Sequence, residues 1–340
     1  MTGNFVETNK VTLSSWLDTW LFEYKKNSIR PSTFESYEYL VRVHLKPEIG
    51  QYPLRELRPE HIQTLYNKKT EILSARTVKY IHIVLNQALK QALKNNLIAR
   101  NIADTATLPK QEKKEMRVLS PEEQDIFLNT LGNDRLRTAF VLALGTGIRE
   151  GELLALKWEN VDFKNGTISI KESVRRVRTF DKNSENKTKI IFQEPKTSAG
   201  RRTIPVPSAV LSELSDHLIR QEVERTLAEP LYEDNGLVFC TELGRTSETR
   251  NFLRKFYSLT KKSGLENVNF HALRHTYATR LLEQNQHPKV LQVLLGHADI
   301  TLTLNKYCHV IPDIKKAAAD SINNLFLQKK KSSETEDLDT

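Results

Sequence analysis

Apolar residues recur three or four positions apart through the first hundred residues, which is the spacing of amphipathic helices. The pattern predicts four helices, the first over residues 12–25, and signals mark the starts of the others. Ser32 and Glu35 have the spacing of a capping box, Pro59 stands in the first turn of the third helix, and Ser74 can cap the fourth. One buried face of the fourth helix is predicted from Val78, Ile81, Leu85, Ala88 and Ala92.

The helical pattern stops after these four helices. A polar, charged stretch that contains Pro109 follows and predicts a linker. Ser120, Pro121 and Glu123 are then typical of a new helix start, and so of a second domain. The predicted organisation is a tail (1–11), a helical domain (12–102), a linker (103–116), a second domain (117–327) and a disordered tail (328–340).

The second domain is predicted to mix helices with short strands. Alternating apolar and polar positions predict strands at 166–170, 174–178, 189–192 and 203–206. Helical patterns predict helices over 134–144, 150–157 and 208–227, with a turn from Gly145 to Gly147 after the first of them. The chain is therefore expected to be mainly α-helical with a small antiparallel β-sheet.

The charge balance suggests a class of partner. The 340 residues include 51 basic and 42 acidic side chains, a net charge of +9. This excess favours a polyanion such as nucleic acid, although a basic protein without that role has the same composition. No stretch reaches the ~18 consecutive apolar residues of a membrane helix. Cys240 and Cys308 give no disulfide framework, so a reducing cytoplasm is expected.

The candidate chemistry lies in three short stretches of the second domain. Arg149 follows the predicted glycine turn, and His271 and Arg274 share one face of a predicted helix. His297 follows a glycine, and Tyr307 stands ten residues later. An arginine fork matches two phosphate oxygens, tyrosine can be a covalent nucleophile, and histidine moves protons near neutral pH. The set is suited to attack on a phosphodiester without a metal.

Each of these residues has a plainer interpretation when it is taken alone. A single arginine is usually solvated, and a single tyrosine or histidine usually packs. His271 and His275 also have the spacing of a zinc site, but Ala272 stands where a metalloprotease has glutamate. The plainer interpretation of His275 is a histidine that packs in the core with its hydrogen bonds satisfied. Glu152 is predicted to orient the guanidinium of Arg149 from three residues away.

The order Arg149, His271-x-x-Arg274, His297 and Tyr307 resembles that of the tyrosine recombinases, or phage integrases. The resemblance extends from about residue 12 to residue 327. It implies a helical core-binding domain that clamps DNA, followed by a mixed α+β catalytic domain. It also implies a reaction that needs no cofactor, metal or ATP.

The resemblance assigns a role to each residue of the set. Arg149 and Arg274 are implied to clamp the non-bridging oxygens of the phosphate, with a hydrogen bond from His297. Tyr307 is implied to attack the phosphorus and leave a 3′-phosphotyrosyl link. His271 is implied to be the base or proton relay for that attack.

Lys196 is implied to be the general acid for the departing 5′-oxygen. In this family a lysine on a mobile β-hairpin enters the site. Lys187, Lys189, Arg201 and Arg202 lie near Lys196 in the sequence. Lys196 is preferred because its Lys-Thr pair precedes a glycine-containing turn and an Ile-Pro strand, as in the family.

The resemblance also implies partners and a cellular place. Double-stranded attachment sites, a homo-tetramer joined through a C-terminal helix (314–327) and an accessory DNA-bending or excision factor are expected, in a bacterial cytoplasm on the nucleoid. That helix could instead pack on its own domain. Residues 174–192 resemble a β-insertion of conjugative-transposon integrases, which is expected to contact a neighbouring protomer or DNA.

The expected function is thus site-specific recombination, the integration or excision of a mobile element. Two alternatives stay open at this stage. A type IB topoisomerase shares the chemistry but relaxes DNA as a monomer, and a catalytically silent regulator binds DNA without cutting it.

Overall fold

The computed structural model describes residues 11–111, 116–181, 183–195 and 197–301. These residues form two units, each with its own hydrophobic core. The first unit is drawn from residues 1–114 and 177–189, and the second from residues 115–176 and 190–340. Within the described ranges, no helix is long and apolar enough to cross a bilayer.

Helices build the first unit. They are α1 (Leu13–Thr19), α2 (Pro31–Leu40), α3 (Lys46–Ile49), α4 (Pro59–Ile72), α5 (Ala75–Lys94) and a 3-10 turn (Ile102–Thr105), with π-helical turns over Trp20–Lys25 and Val41–Leu45. Ser74 caps α5 by accepting a hydrogen bond from the Thr77 N–H at 3.2 Å, as predicted. The predicted capping box at Ser32 is wrong. The helix α2 begins at Pro31, because the fixed φ of proline suits the first helical position.

The core of the first unit lies along α5. Its predicted face is confirmed, since Val78, Ile81, Leu85, Ala88 and Ala92 are all fully buried. The indole N–H of Trp16 donates to the Ala88 carbonyl across 2.9 Å and holds α1 against α5.

The structure differs from the predicted linker at its beginning. Ala103 is fully buried in the first unit, inside the 3-10 turn. The Asn101 side chain accepts a hydrogen bond from the Ala103 N–H at 3.1 Å and donates to Asn86 on α5 at 3.0 Å. The apolar pattern is too short here to indicate a helix, yet the first unit extends beyond residue 102 because these side chains close its core.

A β-hairpin completes the first unit. Strands β3 (Ser173–Arg178) and β4 (Thr188–Gln193) pair with each other, and residues 177–189 belong to the first unit. The ring of Phe180 meets the ring of Phe34 edge-on, with centroids 4.9 Å apart. Arg178 lies 3.4 Å from the Glu38 carboxylate. Residues 177–189 of the predicted β-insertion are thus part of the first unit, where Arg178 and Phe180 meet α2.

The second unit combines helices with a small antiparallel sheet. The strands are β1 (Val161–Asp162), β2 (Thr167–Ile170) and β5 (Arg202–Pro205), in the order β1-β2-β5. The helices are α6 (Pro121–Leu131), α7 (Arg137–Thr146), α8 (Glu150–Leu153), α9 (Ser208–Ala228), α10 (Thr249–Lys262), α11 (Phe270–Glu283) and α12 (Pro288–Leu295). The strand pairing sets Ile168 opposite Ile204 and Ile170 opposite Arg202.

An aromatic cluster fixes the helices that carry the candidate chemistry. The ring of Phe140 on α7 contacts Phe127, Phe252, Phe256 and Phe270, with centroids 5.1–6.4 Å apart. Because Phe270 is the first residue of α11, this cluster sets where α11 starts relative to the end of α7.

Candidate active site

Arg149 is placed by the end of α7. Gly147 ends that helix with φ +63°, in the left-handed region that favours glycine. A Cβ at Gly147 would lie 2.6 Å from the ring of Tyr277, so the turn also packs closely. Gly145 is still helical, which makes the predicted turn wrong for this residue. Arg149 then caps α8, with its side chain 37% exposed.

Glu152 joins two arginines in the buried part of the site. It accepts hydrogen bonds from Arg149 Nη1 at 2.7 Å and from the Arg149 backbone N–H at 3.1 Å, which is the predicted contact. Arg202 donates to both of its oxygens, at 2.8 and 3.2 Å. Burial alone would raise the pKa of this carboxyl, but the hydrogen bonds and charge of Arg202, with those of Arg149, hold it below its usual range.

The helix α11 carries the next two candidates. Asn269 caps it by accepting a hydrogen bond from the Ala272 N–H at 3.1 Å. Arg274 is 2% exposed, and its Nη1 donates to the Gly147 carbonyl at 2.8 Å. His271 is exposed, whereas His275 is buried and meets the His271 ring edge-on at 4.5 Å. The buried position of His275 agrees with the packing role predicted for it.

His297 follows the end of α12. Gly296 ends this helix with φ +62°, as the sequence predicts. The His297 backbone N–H donates to the Gln292 carbonyl at 3.0 Å, and the His297 carbonyl accepts from the Gln292 side chain at 3.2 Å. His297 is buried, with 8% of its surface exposed.

Three arginines meet the last carbonyls of α12. Arg202 Nε donates to Leu294 at 2.7 Å, Arg274 Nη2 to Leu295, and Arg149 Nη2 to Gly296 at 3.3 Å. Carbonyls at a helix C-terminus have no partner within the helix and carry partial negative charge. The structure therefore brings Arg149, Arg274 and His297 together, as the sequence predicts, at one end of α12. Two guanidinium groups in such a place suit the oxygens of a phosphate.

Two predicted residues lie outside the described residues. They are Lys196 and Tyr307, together with the predicted C-terminal helix 314–327. The turn that follows Lys196 is described, and it lies against α12, since a Cβ on Gly296 would come within 2.7 Å of the Ala199 carbonyl oxygen. In the part of the chain that the structure describes, no group of three His, Cys, Asp or Glu side chains could hold a metal ion.

Arg202 is the residue of this site that sequence reasoning missed. Its position in β5 contained a signal, because alternation places it on the same face as the fully buried Ile204. A charged residue at an inward position of a strand predicts a buried ion pair. The partner, Glu152, is 50 residues away and could not be read from local spacing.

Known protein families and known relatives match most of this chain. A model described as the phage integrase family matches residues 117–313, and one for the N-terminal SAM-like domain of phage integrases matches residues 12–70. The chain is 35% identical to a tyrosine recombinase XerC-like protein of Caldanaerobacter subterraneus subsp. tengcongensis, over 96% of this chain and 86% of that protein. It is 22% identical to the transposase from transposon Tn916 of Enterococcus faecalis, over 88% of this chain and 76% of that protein.

Solved structures share the fold. The Tn1549 transposon integrase in complex with a circular intermediate DNA has a TM-score of 0.76 at 22% identity, over 92% of this chain and 99% of that one. A lambda integrase tetramer bound to a Holliday junction has a TM-score of 0.63 at 22% identity, over 86% and 79% of the two chains. These likenesses confirm the predicted fold class. With its family match over residues 117–313 and its 35% identical relative, the chain belongs to the phage integrase family, the tyrosine recombinases.

Proposed function

We propose that this tyrosine recombinase is the integrase of a mobile element, which cuts and rejoins double-stranded DNA at specific sites through a 3′-phosphotyrosyl intermediate. The observation that carries the proposal is the convergence of Arg149 and Arg274 beside His297 at the end of α12. The names of the relatives, a recombinase and a transposase, support the same reaction.

In this proposal the arginines act as a clamp on the phosphate. The Arg149 side chain is 37% exposed and its bond to Gly296 is long, at 3.3 Å, so its guanidinium can turn towards a bound phosphate. Arg274 is fixed by the carbonyls of Gly147 and Leu295 and supplies a preorganised charge. Cations held in place before the reaction stabilise the extra negative charge of the transition state, and losing one such donor costs about 10²–10³-fold in rate.

Lys196 and Tyr307 lie outside the described residues, so their parts in the covalent steps are inferred from the sequence. Tyr307 Oη attacks the phosphorus and forms a P–O bond, while the bond to the 5′-oxygen breaks. His271, which is exposed, takes the tyrosine proton, and Lys196 protonates the departing oxygen. Attack by the 5′-hydroxyl of a second duplex reverses these steps and releases Tyr307. The phosphotyrosyl bond conserves the energy of the original phosphodiester, so rejoining needs no ATP.

Each unit offers basic side chains for the DNA backbone. On α10 the exposed residues Arg250, Arg254, Lys261 and Lys262 accompany a buried apolar face of Phe252, Phe256 and Leu259. On the first unit, Arg42 and Arg76 are exposed and lie over the rings of Tyr39 and Tyr80. Together with the net charge of +9, these surfaces favour binding that is driven by phosphate contacts and weakens as salt is added.

The experiment that tests the proposal uses a nicked suicide duplex carrying the element's own attachment site. We expect the wild-type protein to form a covalent protein–DNA adduct without added metal or ATP. The Tyr307→Phe variant should bind the same duplex and form no adduct, and Arg149→Ala should slow adduct formation about 10²–10³-fold.

Three outcomes would contradict the proposal. Tight binding with no wild-type adduct would favour a silent regulator. An adduct that survives Tyr307→Phe would remove Tyr307 as the nucleophile. Relaxation of supercoiled plasmid by a monomer, without strand exchange between two sites, would favour a type IB topoisomerase.

Assembly on DNA is part of the same proposal. Four copies would hold two attachment sites, and each copy would dock its residues 314–327 on a neighbouring copy. The assembly would form in a bacterial cytoplasm with an accessory DNA-bending or excision factor. The lambda integrase structure contains a tetramer on a Holliday junction. Sedimentation of the full chain with a synthetic Holliday junction should give four protomers per junction, and removing residues 314–340 should leave a smaller complex.

A further inference from the structure

Arg202 is almost completely buried although it carries a permanent charge. Its side chain is 3% exposed, on β5, in register with Ile170 of β2. Removing a guanidinium from water costs several kcal/mol unless its N–H groups find acceptors. Arg202 finds them in three separate segments of the second unit. Two of the acceptors are 50 and 92 residues away in the sequence, and the third lies in the turn directly before β5.

The acceptors define those segments. Arg202 Nη2 and Nη1 donate to the two carboxylate oxygens of Glu152 at 2.8 and 3.2 Å. Arg202 Nε donates to the Leu294 carbonyl at 2.7 Å. Its Nη1 also donates to the Gly200 carbonyl at 3.1 Å. All three nitrogens of the guanidinium are therefore engaged with protein.

Each acceptor adjoins a residue of the proposed reaction. Glu152 holds the guanidinium and the backbone of Arg149. Leu294 lies three residues before His297, and Gly200 ends the turn that follows Lys196. The same turn and the end of α12 are in close contact around the arginine, since a Cβ on Gly296 would lie 3.0 Å from Arg202 Cδ.

We propose that Arg202 is a positioning residue, which fixes the Arg149 turn, the His297 turn and the turn Ser198–Gly200 relative to one another without touching DNA. The inference rests on the proposed function, because that function gives the three turns their roles. Arg202 is left out of the proposed phosphate clamp because its side chain is 3% exposed and its fork faces the Glu152 carboxylate. Arg149 is instead 37% exposed, and the Nη atoms of Arg274 donate to neutral backbone carbonyls. Removing Arg202 alone would leave the buried Glu152 carboxylate with Arg149 as its partner among the described residues, and would therefore destabilise the fold as well as remove the planar fork that sets the geometry.

The variants that test this inference are Arg202→Met and Arg202→Lys. Methionine keeps the volume and removes every hydrogen bond, whereas lysine keeps the charge but cannot span Glu152 and Leu294 with one ammonium group. The matched control is Arg201→Met, because Arg201 is the neighbouring arginine, 59% exposed and paired with Glu194 at the surface. A shift of about 1 Å in a catalytic group costs about 10²-fold in rate.

We expect Arg202→Met to lower the rate of adduct formation at saturating DNA by about 10²-fold, with the half-saturating DNA concentration changed less than about 3-fold. Arg202→Lys should fall between Arg202→Met and wild type, and Arg201→Met should match wild type. The rate of Arg202→Met should also rise with pH where wild type is flat, because Glu152 loses the partner that keeps its pKa low. Equal rates for Arg202→Met and Arg201→Met would overturn the proposal.

A substrate with sulfur in place of the departing 5′-oxygen distinguishes a loss of proton donation by Lys196 from a loss of phosphate contact by Arg149. A thiolate leaves without a general acid, since a thiol has a pKa of about 8.5. If Arg202 positions both Lys196 and Arg149, sulfur should restore part of the rate lost in Arg202→Met and leave the rest. Full recovery, or no recovery, would overturn the three-way role.

Hydrogen exchange of the free protein keeps this test independent of the proposed function. Backbone N–H groups at 197–200 and 294–297 should exchange faster in Arg202→Met than in Arg201→Met, and those of α11 should not change. If wild type formed no adduct at all, the proposed function would fail, while exchange would still decide the role of Arg202. Equal exchange in the two variants at both turns would overturn it.

Discussion

Replacing one carboxylate oxygen of Glu152 with an amide nitrogen should lower the free energy of unfolding strongly. Glu152 is 5% exposed and accepts four hydrogen bonds, two on each oxygen. In Glu152→Gln the new amide group faces N–H donors, so two of the four bonds are lost whichever way the amide turns. The two guanidinium groups also lose their shared counter-charge. Breaking a buried ion pair from one side costs about 3–5 kcal/mol.

Urea unfolding of the full chain measures this cost, with linear extrapolation to water. The control is Glu194→Gln, which removes an exposed carboxylate paired with Arg201 and should cost no more than about 1 kcal/mol. The pKa of Glu152 is lowered in the folded protein, so its contribution is present above its unfolded value and is lost as the pH falls through the folded value. The difference between wild type and Glu152→Gln should therefore shrink below about pH 4.5. Equal costs for the two variants at pH 7 would refute the reasoning.

Three further predictions concern other parts of the structure. Gly147→Ala should destabilise the protein by about 1–3 kcal/mol in the same urea assay, because φ is +63° and the new Cβ meets the Tyr277 ring at 2.6 Å. A cost below that of Gly264→Ala, where φ is +69° and the space around the glycine is open, would contradict this. Burial raises the pKa of Glu150 to about 7, and its Oε1 has no hydrogen-bond partner among the residues that the structure describes, so Glu150→Gln should stabilise the protein at pH 8 and have little effect at pH 4. An unchanged difference across that pH range would rule this out. Phe180→Ala should speed hydrogen exchange across the hairpin 177–189, since it removes the edge-on contact with Phe34, and unaltered exchange would show that the contact is not needed.

The sequence predicts those parts of the fold that depend on nearby residues. The face of α5, the cap at Ser74 and the ending of α12 at Gly296 each depend on residues within one or two helical turns. Predictions failed where another local rule or a distant contact decided the outcome. Pro31 starts α2 before Ser32 can, and Gly145 stays helical because Gly147 is the residue that ends α7.

The candidate site likewise contains residues that could be predicted from the sequence and one whose role depends on distant contacts. Arg149, Arg274 and His297, which the structure brings together, could be predicted as neighbours from their order, and the contact of Glu152 with Arg149 from a spacing of three residues. The role of Arg202 could not, because Glu152 and Leu294 are 50 and 92 residues away from it. Alternation along β5 can say that Arg202 faces inward, but only the packed unit shows what it meets there.

The three arginines at the end of α12 also bear on the order in which the protein matures. Their bonds to Leu294, Leu295 and Gly296 span 92, 21 and 147 residues of chain. Residues far apart in the sequence can meet only after the chain between them has closed into a loop, and that closure costs conformational entropy. Such contacts are therefore expected to form late in folding. A growing chain on the ribosome, or one that has misfolded before β5 pairs, has its arginines dispersed. The three arginines therefore come together at the end of α12 only after β5, α11 and the Arg149 turn have packed around that helix.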